Sequence, residues 1–123
     1  MLTCCVHQGL VVVFVAKKVI KFYDSAGASG RVILGSVFRY VNDEHRRKKS
    51  RPLEDGWRLV GCDPAEMPQQ ENGDDCGVFA CAAADFIAGG RPLTFDQGCM
   101  DAYRLGMVQC IRLKGIPFQF QIE

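Results

Sequence analysis

A chain of 123 residues suits one domain and not two. Apolar residues make up 48% and charged residues 24%, both ordinary for a soluble globular chain. Fifteen Lys and Arg against fourteen Asp and Glu leave a net charge of +1, so no global attraction to nucleic acid or membrane exists and neither is expected as a partner.

The first apolar run is "GLVVVFVA", Gly9 to Ala16. It has the look of a signal-peptide core, but no Lys or Arg precedes it and no small-x-small cleavage site follows before Lys17. It is also too short to span a bilayer. Its β-branched content favours a fully buried strand over Leu10 to Val15. Val19 to Tyr23 reads as a second strand, close enough to form a hairpin with the first. "DSAGASG", Asp24 to Gly30, breaks the pattern. Ile33, Leu34, Val37, Phe38 and Val41 then recur at helical spacing. "NDEHRRKKSRPLEDG" reads as a helix end followed by a loop, and Trp57, Leu59 and Val60 as a short extended piece. From Cys76 to Ala88 the chain is Ala-, Val- and Phe-rich, a helix buried on most sides and ended by Gly89 and Gly90. Asp96 is the expected N-cap of a last helix, with Met100, Tyr103, Met107, Val108 and Ile111 turned inward. The tail "GIPFQFQIE" closes the chain. Strands first, then a helix, a strand and two helices, define an α+β fold.

Seven cysteines occur, at positions 4, 5, 62, 76, 81, 99 and 110, with no C-x-x-C pair and only two histidines. Neither a metal nor another cofactor is expected from that set. The odd count and irregular spacing favour reduced thiols in an intracellular compartment over a disulfide framework. Cys81, Cys99 and Cys110 read as buried structural thiols. Cys76 is different, because it opens a helix. There it meets backbone N–H groups and the positive end of the dipole, which favour a thiolate.

A thiol nucleophile needs a base, a group that orients the base and donors for the oxyanion. His45 sits among many charges, where burial is not expected. His7 stands at the mouth of the first strand and Asp24 at the end of the second. An antiparallel hairpin makes these two neighbours, and a carboxylate on one imidazole nitrogen leaves the other to face a thiol. Gln70, six residues before Cys76, can curl back as an oxyanion donor, with Gln69 a near rival. Asp75 reads as a cap for the helix rather than a second acid, Asp85 as a structural pairing residue and Trp57 as core. "RRKKSR" reads either as a solvated helix end or as a nuclear-localisation patch.

"PQQENGDDCGVFAC" resembles the P-Q-Q-x-N-G-x-D-C-G-x-F segment of the SUMO-specific cysteine proteases, the sentrin-specific and ubiquitin-like-protein-specific peptidases. "HQGLVVVFVAKKVIKFYDS" resembles their His–Asp hairpin, while "DGWRLV", "GRPLTFDQGCM" and "YRLGMVQCI" resemble flanking pieces. The resemblance implies a papain-like cysteine-protease fold, with residues 1–123 forming one catalytic domain whose N-terminal part is missing. It implies Cys76 as nucleophile, His7 as base and then acid, Asp24 as its orienter and Gln70 as oxyanion donor. The implied reaction is cleavage after the C-terminal Gly-Gly of SUMO or a SUMO-like modifier, by a monomer in the nucleus. Two departures stand out. Gln8 occupies the place of a family tryptophan that helps grip Gly-Gly, and only six residues precede His7. They keep open a second expectation, a catalytically impaired chain that only binds a ubiquitin-like modifier.

Overall fold

The computed structural model describes residues 7–115. Strand β1 (Leu10–Phe14) and strand β2 (Val19–Tyr23) pair antiparallel, with Leu10 opposite Tyr23 and Phe14 opposite Val19. Helix α1 (Arg31–Lys49) then crosses over, and strand β3 (Arg58–Val60) returns parallel to β2, with Ile20 opposite Leu59. A parallel pairing requires such a crossover. Helix α2 (Cys76–Ala88), a short 3-10 turn (Gln97–Cys99) and helix α3 (Met100–Leu113) complete the chain. The sheet order is β1-β2-β3. The tail from residue 116 onward, and Cys4 and Cys5, lie outside the described residues.

The apolar run of β1 does not alternate because both faces of the sheet are packed. Leu10 and Val12 join Tyr23 in a core built by α2 and α3, around Phe79, Phe86, Phe95, Met100 and Tyr103. Val11 and Val13 join Ile20, Phe22 and Leu34 on the other face, under α1 and Trp57. As an edge strand, β1 is nevertheless half-buried along its length, and it ends at Phe14. Val15, expected inside it, is 71% exposed in the turn.

Gly30 is the N-cap of helix α1; its φ of 67° is left-handed and its Cα leaves no room for a Cβ against the Phe22 ring. The charged stretch that read as a helix end continues the helix to Lys49. Glu44 bonds Arg47 (2.9 Å) and Lys48 (3.4 Å) one turn on, and four basic residues occupy the last turn, where the dipole favours them.

Helix α2 has the bounds the sequence implies, but Cys81 faces solvent, and Cys99 and Cys110 are only half-buried. Asp85 pairs with Arg91 at 2.7 Å. In α3, Met100 and Tyr103 are buried, whereas Val108 and Ile111 are 53% and 77% exposed. The helix covers the core with only its first two turns, so the outer half of the apolar pattern has nothing described to pack on. Asp96 precedes the 3-10 turn, not α3 itself, and its carboxylate makes no cap bond.

Candidate active site

Continuing the hairpin register past Leu10 and Tyr23 sets Gly9 opposite Asp24, so His7 and Gln8 reach the corner where β2 ends. Position 9 passes close over Phe22: a Cβ there would lie 2.7 Å from its ring, so glycine lets the strand entry lie flat. The result is a contact between residues 17 apart in sequence. His7 Nε2 donates to Asp24 Oδ2 at 2.6 Å. That bond fixes the tautomer and leaves Nδ1 as the free ring nitrogen.

Asp24 has no exposed surface, while the His7 side chain is 39% exposed. A buried carboxylate needs more than one donor, and Asp24 has a second: the Ala26 N–H donates to its Oδ1 at 2.6 Å, closing an Asx turn. Its backbone is held from behind by Cys62. The Asp24 N–H donates to Cys62 Sγ and the Cys62 thiol donates to the Asp24 carbonyl, each at 3.3 Å. Burial pushes the Cys62 thiol above its usual pKa, against the opposing pull of the Asp24 backbone bond.

The loop before α2 is tied to the same corner. Gln70 N–H donates to the Ser25 carbonyl at 2.8 Å, and the Ser25 hydroxyl donates to Gln70 Oε1 at 2.5 Å. Gln70 Nε2 donates to the Asn72 carbonyl at 2.6 Å. Gln69 donates from its Nε2 to both the Asp24 and Met67 carbonyls, at 3.2 and 2.7 Å. Gln69 therefore has both amide hydrogens engaged, and Gln70 keeps one.

Cys76 is the first residue of α2 and 7% exposed. Its thiol donates to Gln8 Oε1 at 3.2 Å. Gly77 makes room for that contact, since a Cβ there would lie 2.9 Å from the same oxygen. Asp75 holds the N-cap position but, against the sequence expectation, its side chain makes no cap bond. Its Oδ2 accepts from Asn72 Nδ2 (2.7 Å) and Gln97 Nε2 (2.6 Å), and its Oδ1 accepts from Arg104 Nε (3.0 Å) and Nη2. These bonds, Asn72 first and then Arg104 and Gln97, hold its carboxyl below the usual range.

Sequence reasoning missed Cys62, Gln97 and Arg104. No local pattern marks them, because each meets its partner across 22 to 38 residues of chain. His45 also differs from expectation. It is half-buried with its Nε2 out of solvent, and it lines a pocket with Val15, Leu53 and Trp57 at the turn end of the hairpin, opposite His7. Among the described residues, no group of three or more His, Cys, Asp or Glu is arranged to hold a metal ion.

The described corner thus holds the His7–Asp24 pair at the entry to β1 and, one residue on, Gln8 in contact with the helix-start thiol of Cys76. The model of the Ulp1 protease family C-terminal catalytic domain matches residues 1–111, and the chain belongs to that family. Sentrin-specific protease 2 of Homo sapiens is 40% identical over 104 residues, covering 84% of this chain and 18% of the relative. Sentrin-specific protease 5 of Mus musculus is 32% identical over 101 residues, covering 80% of this chain and 13% of its own length. The chain thus spans under one fifth of these relatives. Two solved structures share the α+β fold. A C-terminal Ulp1 protease domain in complex with Smt3, the yeast ortholog of SUMO, has a TM-score of 0.73 at 22% identity, with 90% of this chain and 49% of that one covered. The SUMO protease Ulp1 with its catalytic cysteine oxidised to a sulfenic acid has a TM-score of 0.74 at 28% identity, with 90% and 49% covered.

Proposed function

We propose that this chain carries the nucleophile-bearing part of a thiol peptidase that cleaves after the C-terminal Gly-Gly of SUMO or a SUMO-like modifier, from precursors or from lysine conjugates. The observation that carries the proposal is the buried Asp24 carboxylate 2.6 Å from His7 Nε2. The Ala26 N–H occupies one carboxylate oxygen and shapes the turn, which leaves the other oxygen, fully buried, to the imidazole, and a buried carboxylate paired with a histidine is the arrangement that tunes a base.

In this reading each group has one role. His7 Nδ1 accepts the Cys76 proton, and Asp24 stabilises the imidazolium that forms. The thiolate attacks the terminal glycine carbonyl. The Cys76 N–H and the spare amide hydrogen of Gln70 donate to the oxyanion. His7 then protonates the departing amine, and water, deprotonated by His7, releases the modifier from the thioester. Before attack, the thiol must leave Gln8 Oε1 and turn to His7. Gln8 is exposed beside the nucleophile and is the residue that meets the Gly-Gly tail.

That same Gln8 contact favours a second reading, a chain that binds a modifier without turning it over, because an amide acceptor stabilises the protonated thiol. The test is a SUMO protein bearing a C-terminal electrophile, read by intact mass. Peptidase chemistry requires a single adduct that disappears in Cys76→Ala. A folded parent chain with no adduct, and equal SUMO affinity in parent and Cys76→Ala, establishes the binding module instead. The proposed address is intracellular and nuclear. The exposed basic run from Arg46 to Arg51 is available to an import receptor.

A further inference from the structure

Helix α2 presents an electrostatic conflict at its first residue. Its N-terminus favours a Cys76 thiolate through the unpaired N–H groups of the first turn. The residue before it is an aspartate, which works against that in two ways. An N-cap carboxylate ordinarily accepts the N–H of the second or third helical residue, here Gly77 or Val78. Its negative charge also sits beside the sulfur and disfavours a second negative charge there.

The structure shows neither effect left uncorrected. Asp75 makes no side-chain cap bond, and its φ of −96° and ψ of 2° lie outside the extended region usual for a capping residue. Both carboxylate oxygens are engaged from outside the helix, by Asn72 of the preceding loop, Gln97 of the 3-10 turn and Arg104 of α3. The guanidinium approaches one oxygen through Nε and Nη2 and also donates to the Asp74 carbonyl at 3.1 Å. Gln97 is anchored in turn, because its Oε1 accepts the Glu71 N–H at 2.9 Å. The carboxylate is 8% exposed, so water screens it little and its counter-charge is Arg104.

We propose that Arg104 is a positioning residue of the thiol site: it turns the Asp75 carboxylate off the N-terminus of α2 and neutralises its charge, keeping the Cys76, Gly77 and Val78 N–H groups free to stabilise the thiolate. The proposal deepens the peptidase reading and rests on Cys76 being its nucleophile. Arg104 acts through Asp75 and touches no reacting atom. The other charged groups of this region are the His7–Asp24 pair on the hairpin side, Glu71, whose N–H meets Gln97, and Asp74 and Asp101, which act on Arg104. All of them stay unchanged in the variants below, so a difference between variants isolates the Asp75–Arg104 pair.

The test is the pH profile of Cys76 alkylation by iodoacetamide on the full chain, from pH 4 to 10, read on the Cys76 peptide by mass spectrometry. It needs no modifier substrate, so it reads the thiol whether or not the chain proves to be a peptidase. Arg104 is 47% exposed at its side chain, which favours a folded variant. Arg104→Gln should raise the alkylation midpoint by roughly half a unit to one unit. Arg104→Lys, which keeps the charge but loses the fork, should fall between. Adding Asp75→Asn to Arg104→Gln should bring the midpoint back to or below that of the parent, which a merely structural role for the arginine does not produce. Asp75→Asn alone should lower it, and this variant decides the matter if Arg104→Gln does not fold. A folded Arg104→Gln with the parent midpoint overturns the proposal, as does a double variant that stays as high as the single, or an Asp75→Asn midpoint that does not fall. Electrophile labelling of Cys76 retained at the parent level together with an unmoved midpoint would count against Arg104 only. Shifted midpoints with no modifier cleavage in any variant would count against the peptidase reading only.

Discussion

Replacing Phe79 by alanine probes what holds the nucleophile helix in place. Phe79 lies three residues after Cys76, one turn along α2, and has no exposed surface. Its ring meets Phe95 at a centroid distance of 5.8 Å, and Phe95 in turn meets Phe86 at 5.2 Å and Tyr103 at 6.2 Å. Truncation removes one ring of this aromatic group and leaves a cavity against Phe95, its hub. Large-to-small changes of this kind cost about 3–5 kcal/mol, transfer and cavity terms together, and the loss of a ring pair favours the upper half of that range. Unfolding entropy of about 2.1 cal/mol/K per residue gives roughly 0.26 kcal/mol/K for a chain of this length, so a loss of about 4 kcal/mol corresponds to about 15 °C in Tm. Native domains hold only about 5–15 kcal/mol, so the variant should be visibly destabilised at 25 °C. The assay is thermal unfolding followed by far-UV circular dichroism, with Leu105→Ala as control. Leu105 is 68% exposed, and its truncation should move Tm by less than about 2 °C. A Phe79→Ala drop under about 5 °C, or a Leu105→Ala drop of equal size, would refute the assignment of the core to the α2–α3 side of the sheet.

Three further outcomes follow from the site. Asp75 has its folded pKa depressed by Asn72, Arg104 and Gln97. Its contribution to stability is therefore full above the unfolded value near 3.9 and disappears as pH falls through the folded value. The Tm gap between parent and Asp75→Asn should be present at pH 7 and close as pH falls below about 4; a gap constant down to pH 2.5 contradicts the network. Cys62 is partly buried with its thiol pKa raised, whereas Cys81 is exposed, so peptide-resolved alkylation at pH 8 should modify Cys81 several-fold faster, and equal rates would place Cys62 outside the Asp24 corner. Gln8→Trp removes the amide that accepts the Cys76 proton and supplies an apolar wall. Cleavage of a Gly-Gly-terminated modifier should rise by about tenfold in kcat/KM, equivalent to about 1.4 kcal/mol of transition-state stabilisation, and an unchanged or lower rate would show that Gln8 does not hold the thiol back.

The sequence alone determined the local units of this protein. Apolar runs and turn residues located both hairpin strands and the bounds of α2, because periodicity and glycine breaks are properties of neighbouring residues. It also paired His7 with Asp24, since an antiparallel hairpin turns sequence position into spatial register. Tertiary structure alone decided which apolar positions find cover: Val108 and Ile111 continue the inward pattern of α3, yet they stand exposed where the core ends. It also turned Asp75 away from capping and set Arg104, Gln97 and Cys62 behind the site. Those choices are made by atoms brought together from distant elements, each polar group taking whichever donor or acceptor the packing delivers, and no short stretch of chain encodes that meeting.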